Sequence, residues 1–148
     1  MNEMTARARA RRFSREALAQ LPPALLVADA NRLLDLTRST GYRMIHEGTY
    51  PCAVLKVGDQ HRVVTADLLR VLELPDLSLR RRMASLPPAI RLTDANELLS
   101  LSRTTGYKLA RASQYPCSVL RVGSEYRVRK HELQRLLQLR DLPAEAAA

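Results

Sequence analysis

The sequence predicts a mainly α-helical fold with small β-hairpins, of the α+β class, built from two tandem copies of one unit. Residues 21–74 align with residues 86–139 without a gap, at an offset of 65 residues. Each copy has apolar residues at helical spacing, followed by two β-branched runs on either side of a glycine. Because self-similarity at a fixed period marks repeated structural units, we expect one structure and one function to occur twice.

A short helix is expected after the Leu-Pro-Pro-Ala turn of each copy. It is predicted to cover 29–36 and 94–101, with Asp29 and Asp94 accepting hydrogen bonds from the free backbone N–H groups at its start. Its apolar stripe consists of Ala30, Leu33 and Leu34, repeated as Ala95, Leu98 and Leu99.

A second helix follows after a break of two or three residues, through RSTGYRMIHEG in the first copy and RTTGYKLARAS in the second. Thr37 and Ser102 are its predicted N-caps. Gly48 is placed to end the first of these helices, whereas Ser113 marks the end of the second less clearly. Two short, closely spaced helices of this kind are the outline of a helix-turn-helix.

The segments YPCAVLKVGDQHRVV and YPCSVLRVGSEYRVR each predict a β-hairpin, or wing, folded about a glycine turn. An amphipathic helix closes each copy, with Thr65 as the expected cap of the first. Its apolar residues are Leu68, Leu69, Val71 and Leu72, and in the second copy Leu133, Leu136 and Leu137.

Leading helices are expected at 14–20 and 79–85, because the 65-residue offset continues on both sides of residues 21–74 and 86–139. The Pro75 and Asp76 turn therefore sets the boundary between units. The predicted organisation is a basic, flexible arm at 1–12, two winged helix-turn-helix domains at 13–77 and 78–142, and a disordered tail at 143–148.

The chain has 24 Lys and Arg against 15 Asp and Glu, a net charge of +9, which indicates a polyanionic partner. Arginine far outnumbers lysine, and its planar fork suits phosphate and guanine, although a high-GC coding bias would favour the same residues. No stretch is long and apolar enough to span a bilayer or to serve as a signal peptide. We therefore expect a cytoplasmic, nucleoid-associated protein that binds no membrane.

Catalytic, metal-binding and cofactor sites are not expected. No grouping of His, Cys, Ser and carboxylate recurs, and there is no glycine-rich phosphate loop. Cys52 and Cys117 occupy equivalent positions and are interpreted as small packing residues, since cytosolic thiols stay reduced. We therefore do not expect an enzyme, and we expect neither a cofactor nor a small-molecule effector.

The second helix of each copy has a polar, basic side. Helical spacing places Gly41, Met44, Ile45 and Gly48 inside, as it does Leu109 and Ala110 in the second copy. Such a face suits the major groove, where Arg and Lys read guanine and Ser or Thr contacts bases or phosphate. The outward residues are Ser39, Tyr42, Arg43 and His46, then Thr104, Tyr107, Lys108 and Arg111, with Arg38 and Arg103 flanking them.

The wings supply further basic and aromatic residues, suited to phosphate or minor-groove contacts. Asp59 and Glu125 stand at or next to the turn tips, so these tips either point away from DNA or cap the turn backbone. A solvated surface is the alternative interpretation of the basic helix face, but cap, turn, basic face and hairpin occur together. The wing residues are Lys56, His61, Arg62, Arg121, Tyr126 and Arg127.

DANRLLDLTRSTGYRMIHEGTYP and DANELLSLSRTTGYKLARASQYP, with VLKVGDQHRV and VLRVGSEYRV, resemble the excisionase and MerR-type winged helix-turn-helix family. The resemblance covers nearly all of both copies and implies double-stranded DNA binding, with the second helix in the major groove. It carries the contact role to Arg38, Ser39, Tyr42, Arg43 and Arg62, and to Arg103, Thr104, Tyr107, Lys108 and Arg127.

Three departures from the family pattern stand out. Gly41 and Gly106 replace a larger apolar residue, so that either the two helices pack unusually close or Met44 and Leu109 fill the space. The wing tips are acidic, and neither a long C-terminal dimerisation helix nor an effector domain is expected.

Two reading helices on one chain predict recognition of two similar half-sites, direct or inverted, with a second copy of the chain on adjacent DNA repeats as a further partner. A transcription regulator is the favoured role, ahead of a recombination directionality factor (excisionase) or a plasmid centromere-binding partition protein. A protein-interaction adaptor is the alternative of another class.

Overall fold

The computed structural model describes residues 14–139, which form eight helices and two three-stranded antiparallel sheets. The α+β class is therefore confirmed, while the predicted arm at 1–12 and tail at 143–148 lie outside the described residues. The first unit contains α1 (Arg15–Ala19), β1 (Ala24–Leu26), α2 (Val27–Leu33), α3 (Arg38–Glu47), β2 (Val54–Val57), β3 (Gln60–Val64) and α4 (Thr65–Val71). The second contains α5 (Leu77–Ala84), β4 (Ala89–Arg91), α6 (Leu92–Leu98), α7 (Arg103–Arg111), β5 (Val119–Val122), β6 (Glu125–Arg129) and α8 (Lys130–Leu136).

Both sheets have the same order and the same register. The central strand is β3 in the first sheet and β6 in the second, so that Leu25 pairs with Val63 and Ile90 pairs with Val128. The predicted hairpins are present, β2 with β3 and β5 with β6. The sequence repeat is therefore a structural repeat down to individual strand pairs.

Strands β1 and β4 were not expected, and they change the start of the helix that follows. The prolines before β1 favour extended backbone, and the apolar run behind them fills the free edge of β3. Helix α2 consequently begins at Val27, without a side-chain cap, and ends at Leu33. The prediction that Asp29 caps this helix is wrong: Asp29 lies in its first turn and pairs with Arg32 at 2.9 Å.

The predicted caps of the second helix are confirmed. The hydroxyl of Thr37 accepts a hydrogen bond from the backbone N of Thr40 at 3.2 Å, and Ser102 does the same for Thr105 at 3.1 Å. Gly48 ends α3 with a left-handed φ of 76°. Ser113 ends the second helix in the same conformation, with a φ of 57°.

Three other expectations need correction. Thr65 is the first residue of α4 and not its cap, because its hydroxyl donates to the carbonyl O of Pro22. Val71 is exposed and does not belong to the apolar face of that helix. Helix α5 begins at Leu77, two residues before the predicted start, where the carboxylate of Asp76 pairs with Arg80 at 2.9 Å.

The two units share one hydrophobic core. The first unit also has a separate cluster on the inner face of its sheet, around Leu25, Val63 and Leu68. The outer face of the same sheet belongs to the cluster of the second unit, where it packs with α5, α6 and α7. Residues of this shared cluster include Ala24, Val57, Val64 and Leu69 from the first unit, and Leu79, Met83, Leu92, Leu99 and Leu109 from the second.

Polar contacts join the units beside this core. The guanidinium of Arg62 donates from Nε to the carbonyl O of Leu99 at 3.1 Å and from Nη2 to that of Ser100 at 2.8 Å. The hydroxyl of Ser100 donates in turn to the carbonyl O of Ala24 at 2.6 Å. The turn between α6 and α7 is thus tied to the sheet of the first unit.

The units meet head to tail and not about a two-fold axis. A Cβ placed on Gly58, in the turn of the first hairpin, would lie 3.0 Å from the Leu109 side chain, whereas one placed on Gly123 would meet nothing within 4 Å among residues 14–139. A two-fold junction would contain both contacts, since each contact is repeated with the partners exchanged. The first hairpin therefore packs against the second unit, whereas within residues 14–139 no other unit packs against the second hairpin.

Candidate nucleic-acid interface

Helices α3 and α7 present the predicted basic faces outward. Gly41 is buried, Met44 and Ile45 are half-buried, and Leu109 and Ala110 are buried, which agrees with the inner positions predicted from the helical spacing. Gly48 is exposed, because it lies beyond the end of α3. The exposed side chains are Arg38, Ser39, Tyr42, Arg43 and His46 on α3, and Arg103, Thr104, Lys108 and Arg111 on α7.

An arginine covers a tyrosine at the same place on both helices. The guanidinium carbon of Arg38 lies 5.8 Å from the centre of the Tyr42 ring, and that of Arg103 lies 5.7 Å from the Tyr107 ring. These are one-turn neighbours, whose cation–π attraction limits the freedom of the arginine. A restrained guanidinium loses less entropy when it binds an anion.

The second wing packs against the helix that precedes it. The ring of Tyr126 contacts that of Tyr107 edge to face, with centroids 6.1 Å apart. Tyr107 is consequently half-buried, while Tyr42 in the first unit is 44% exposed. Tyr107 thus supports the wing and leaves the outer face of α7 to its cationic residues.

The structure places the predicted wing residues in different environments. Lys56 and Arg121 are exposed, His61 and Tyr126 are half-buried, and Arg121 donates to the carbonyl O of Gly123 at 3.3 Å. Arg62 is only 6% exposed and lies between the units, so the phosphate or minor-groove contact predicted for it is not supported.

Arg127 stands at the position equivalent to Arg62, but in the part of the chain that the structure describes it is not covered by another unit. It is half-buried and pairs with Glu125, and it donates to the carbonyl O of Tyr126 at 3.0 Å. The acidic residue at this wing tip therefore holds an arginine of its own strand. Asp59, at the other tip, is exposed.

Two asparagines for which no role was predicted from the sequence help to set the position of α3 and α7. A Cβ on Gly41 would overlap the carboxamide of Asn31, and one on Gly106 would overlap that of Asn96. Helix α3 therefore packs unusually close to α2, and α7 to α6. This was one of the two explanations predicted for these glycines. The signal was available, since the Asp-Ala-Asn and Gly-Tyr motifs recur together in both copies.

A tyrosine fixes each asparagine from the other side. The hydroxyl of Tyr50 donates to Oδ1 of Asn31 at 2.8 Å, and that of Tyr115 donates to Oδ1 of Asn96 at 2.8 Å. Among the buried side-chain atoms of residues 14–139, the two asparagine Nδ2 atoms have no hydrogen-bond partner. Burial raises the pKa of Tyr50 to about 12 and that of Tyr115 further, so both phenols stay protonated as donors.

The cysteines next to these tyrosines are packing residues, as predicted. Cys52 is buried and Cys117 is half-buried, and both are free thiols. Burial raises the pKa of the Cys52 thiol to about 11 and that of Cys117 to about 12, with a smaller contribution from the carboxylates of Asp67 and Glu132. Both are therefore thiols at neutral pH, the weakly nucleophilic form.

A carboxylate ties the last helix of each unit to the hairpin. The carboxylate of Asp67 accepts from the backbone N of Ala53 at 2.6 Å, and that of Glu132 accepts from Ser118 at 3.1 Å. Asp67 also pairs with Arg70. The base of each wing is thus anchored to the helix that follows it.

The arrangement offers cationic and hydroxyl groups on two rigid helices. Within residues 14–139 there is no group of three or more His, Cys, Asp or Glu that could hold a metal ion, and no helix is long and apolar enough to cross a membrane. Comparison with protein-family models, with curated proteins and with solved structures found no match.

Proposed function

We propose that this chain is a sequence-specific double-stranded DNA-binding protein, with α3 and α7 as two recognition helices and the hairpins as wings. The observation that carries the proposal is that both helices expose cationic residues at repeated positions. Arg43 and Lys108 are equivalent and exposed, and neither forms an ion pair within residues 14–139. Such groups are available to guanine O6 and N7 or to phosphate.

The outer face of α7 is well suited to DNA because no residue between Arg103 and Arg111 is acidic. The hydroxyl of Thr104 and the ammonium of Lys108 lie on that face together, and each offers a donor to a base edge or a phosphate. Helix α3 carries Ser39 and Arg43 at the same positions. The two helices would thus read similar sequences. Differences are expected at two equivalent positions, where Arg43 corresponds to Lys108 and His46 to Arg111.

The head-to-tail junction favours half-sites in direct orientation. Contacts such as Arg62 to Leu99 run from the first unit to the second and are not reciprocated. Because no two-fold axis relates the units, the inverted half-sites that match a two-fold dimer are not expected. A transcription regulator with a directly repeated operator is the role we propose.

The test is selection of binding sequences from a random duplex library, followed by footprinting of the full chain. We expect two similar protected sequences in the same orientation. Arg43→Ala should weaken protection of one of them and Lys108→Ala protection of the other, each by about 1–3 kcal/mol if the contact is to a base. Arg135→Ala, at an exposed arginine of α8, is the control that removes the same charge away from both helices.

Salt dependence separates a DNA reader from an adaptor that binds proteins. Neutralised phosphates release counterions, so the logarithm of the binding constant should fall linearly with the logarithm of salt concentration. Unchanged footprints in both variants would remove the assignment of α3 and α7. Equal affinity for every sequence would remove specific recognition.

A further inference from the structure

A cleft of about 330 Å³ opens in the second unit between the tip of the hairpin and the start of α6. Side chains from three parts of the unit line it. Arg91 and Thr93 come from the end of β4 and from α6, Tyr107 comes from α7, and Tyr126 and Arg127 come from β6. We call this space the second-unit cleft.

Two arginines of this cleft are direct neighbours on adjacent strands. Arg91 of β4 pairs with Arg127 of β6, so both side chains leave the sheet on one face, with Cβ atoms about 4.5–5.5 Å apart. Like charges at such positions destabilise a sheet. Arg91 is exposed and forms no ion pair within residues 14–139. An anion bound between the two guanidinium groups would relieve their repulsion.

The first unit holds different groups at these two positions, although its strands have the same register. The residue equivalent to Arg91 is Leu26, which is 42% exposed, so the fold accepts an apolar side chain there. The equivalent of Arg127 is Arg62, whose guanidinium donates to two carbonyl groups of the second unit. The arginine pair therefore belongs to the second unit alone, and formation of the sheet does not require it.

Two hydroxyl groups add to the donors of the cleft. Thr93 and Tyr126 are both half-buried, and the equivalent residues of the first unit are Ala28 and His61. A hydroxyl donates one hydrogen bond, and a guanidinium donates up to five. Arg91 and Thr93 thus supply donors that the first unit lacks at the same positions.

We propose that the second-unit cleft binds a phosphate group, with Arg91 and Arg127 donating to its oxygens and the hydroxyl of Thr93 as a further donor. A phosphate presents acceptor oxygens in several directions, which suits donors that come from two strands and a helix. The planar guanidinium can make two hydrogen bonds to such a group at once, and hydrogen bonds between two charged groups are the strong ones.

Glu125 also lines the cleft and opposes an anion there. Its carboxylate pairs with Nη2 of Arg127 at 2.5 Å, while Nη1 of Arg127 donates to the carbonyl O of Tyr126. Within the described residues Nε of Arg127 is left as a donor. Two guanidinium groups face this one carboxylate, whose side chain is 65% exposed and can turn to solvent. Glu125 therefore weakens the site without closing it.

The cleft adjoins the outer face of α7. Tyr107 lines it and also lines a groove on that face with Arg103, Thr104 and Arg111. We expect the phosphate to come from the DNA backbone beside the second half-site, and this part of the inference rests on the proposed function. A free phosphorylated compound presents the same oxygens and would bind without DNA.

Titration of the full chain with inorganic phosphate, followed through its amide resonances by NMR, tests the site without DNA. Saturable shifts are expected for residues 91, 93 and 125–127, and not for the equivalent residues 26, 28 and 60–62. Shifts of equal size in both units would indicate non-specific association of the ion and would overturn the site.

Variants that introduce the residues of the first unit should change phosphate affinity in opposite directions. Arg91→Leu should weaken binding by about 10-fold to 100-fold, since it removes a charged donor, and Thr93→Ala should weaken it less. Glu125→Gln should strengthen it. Arg135→Leu, which removes an exposed arginine of α8 outside the cleft, is the matched control and should bind phosphate like the parent chain. Unchanged thermal unfolding shows that the variants are folded.

Duplexes with an uncharged methylphosphonate at single backbone positions distinguish the two sources of phosphate. If the source is DNA, one substitution beside the second half-site should weaken binding of the parent chain, and Arg91→Leu should be insensitive to that substitution. The slope of the logarithm of the binding constant against that of salt concentration should also become shallower by about 1 in this variant.

The two measurements separate failure of the cleft from failure of the proposed function. Phosphate binding at the cleft by a chain that binds no duplex, or that is insensitive to every methylphosphonate, would assign the cleft to a free phosphorylated compound. Absence of both the phosphate shifts and the methylphosphonate effect would overturn the proposal. Equal phosphate affinity of Arg91→Leu, Glu125→Gln and the parent chain would overturn the assignment of these residues.

Discussion

The carboxamide of Asn31 occupies the space that a side chain at Gly41 would need, and Asn96 and Gly106 repeat this relationship in the second unit. The close packing requires a glycine inside a helix, which is less stable there than alanine by about 1 kcal/mol. It holds α3 close against α2 and α7 close against α6. This contact therefore helps to set how each basic helix face is presented.

Gly41→Ala and Gly106→Ala are expected to destabilise the fold although alanine is the better helix former. The new methyl group would collide with a buried carboxamide held by a tyrosine, and overpacking of this kind costs about 1–3 kcal/mol. Urea unfolding measures the loss. The double variant Gly41→Ala with Asn31→Ala should recover part of it, and an alanine at 41 as stable as the glycine would contradict the close packing.

Arg62→Ala should cost far more stability than Arg127→Ala. The first removes the donors to the carbonyl groups of Leu99 and Ser100 in a buried junction, for which we expect about 2–4 kcal/mol. The second removes a half-exposed arginine whose ion pair with Glu125 contributes less than about 1 kcal/mol. Thermal unfolding of both variants compares one residue type at one repeat position, and equal losses would contradict the buried role of Arg62.

The contrast between these two arginines shows what local sequence can predict. The N-caps Thr37 and Ser102, the hairpins and the outward face of α3 depend on neighbours along the chain, and they were predicted correctly. Arg62 and Arg127 stand at equivalent positions of equivalent hairpins, and only the packing of one unit on the other buries Arg62. The strands β1 and β4 were missed for a related reason, since three residues are too few to show a period and their pairing partner lies far along the chain.

Ser113→Gly is expected to stabilise the second unit by about 0.5–1 kcal/mol. Ser113 ends α7 with a φ of 57°, a left-handed conformation that glycine adopts without steric cost. Gly48 already occupies the equivalent position at a φ of 76°, so Gly48→Ala should destabilise by a similar amount. Calorimetry of the two variants should show opposite shifts of the unfolding temperature, and shifts of the same sign would contradict the argument.

The cysteines give the fold a measurable dependence on alkaline pH. An ordinary thiol has a pKa of about 8.5, and burial raises that of Cys52 to about 11. Above about pH 8.5 the unfolded chain therefore loses a proton that the folded chain retains, so this thiol's contribution to stability is complete below that pH and is lost as pH rises toward 11. Cys52→Ala should flatten the decline in the free energy of unfolding between these values.

Alkylation of the Cys52 thiol at pH 8 should be much slower in the native chain than in the unfolded chain. The variant Cys117→Ala allows Cys52 to be followed alone. Equal rates would mean that the Cys52 thiol is open to solvent.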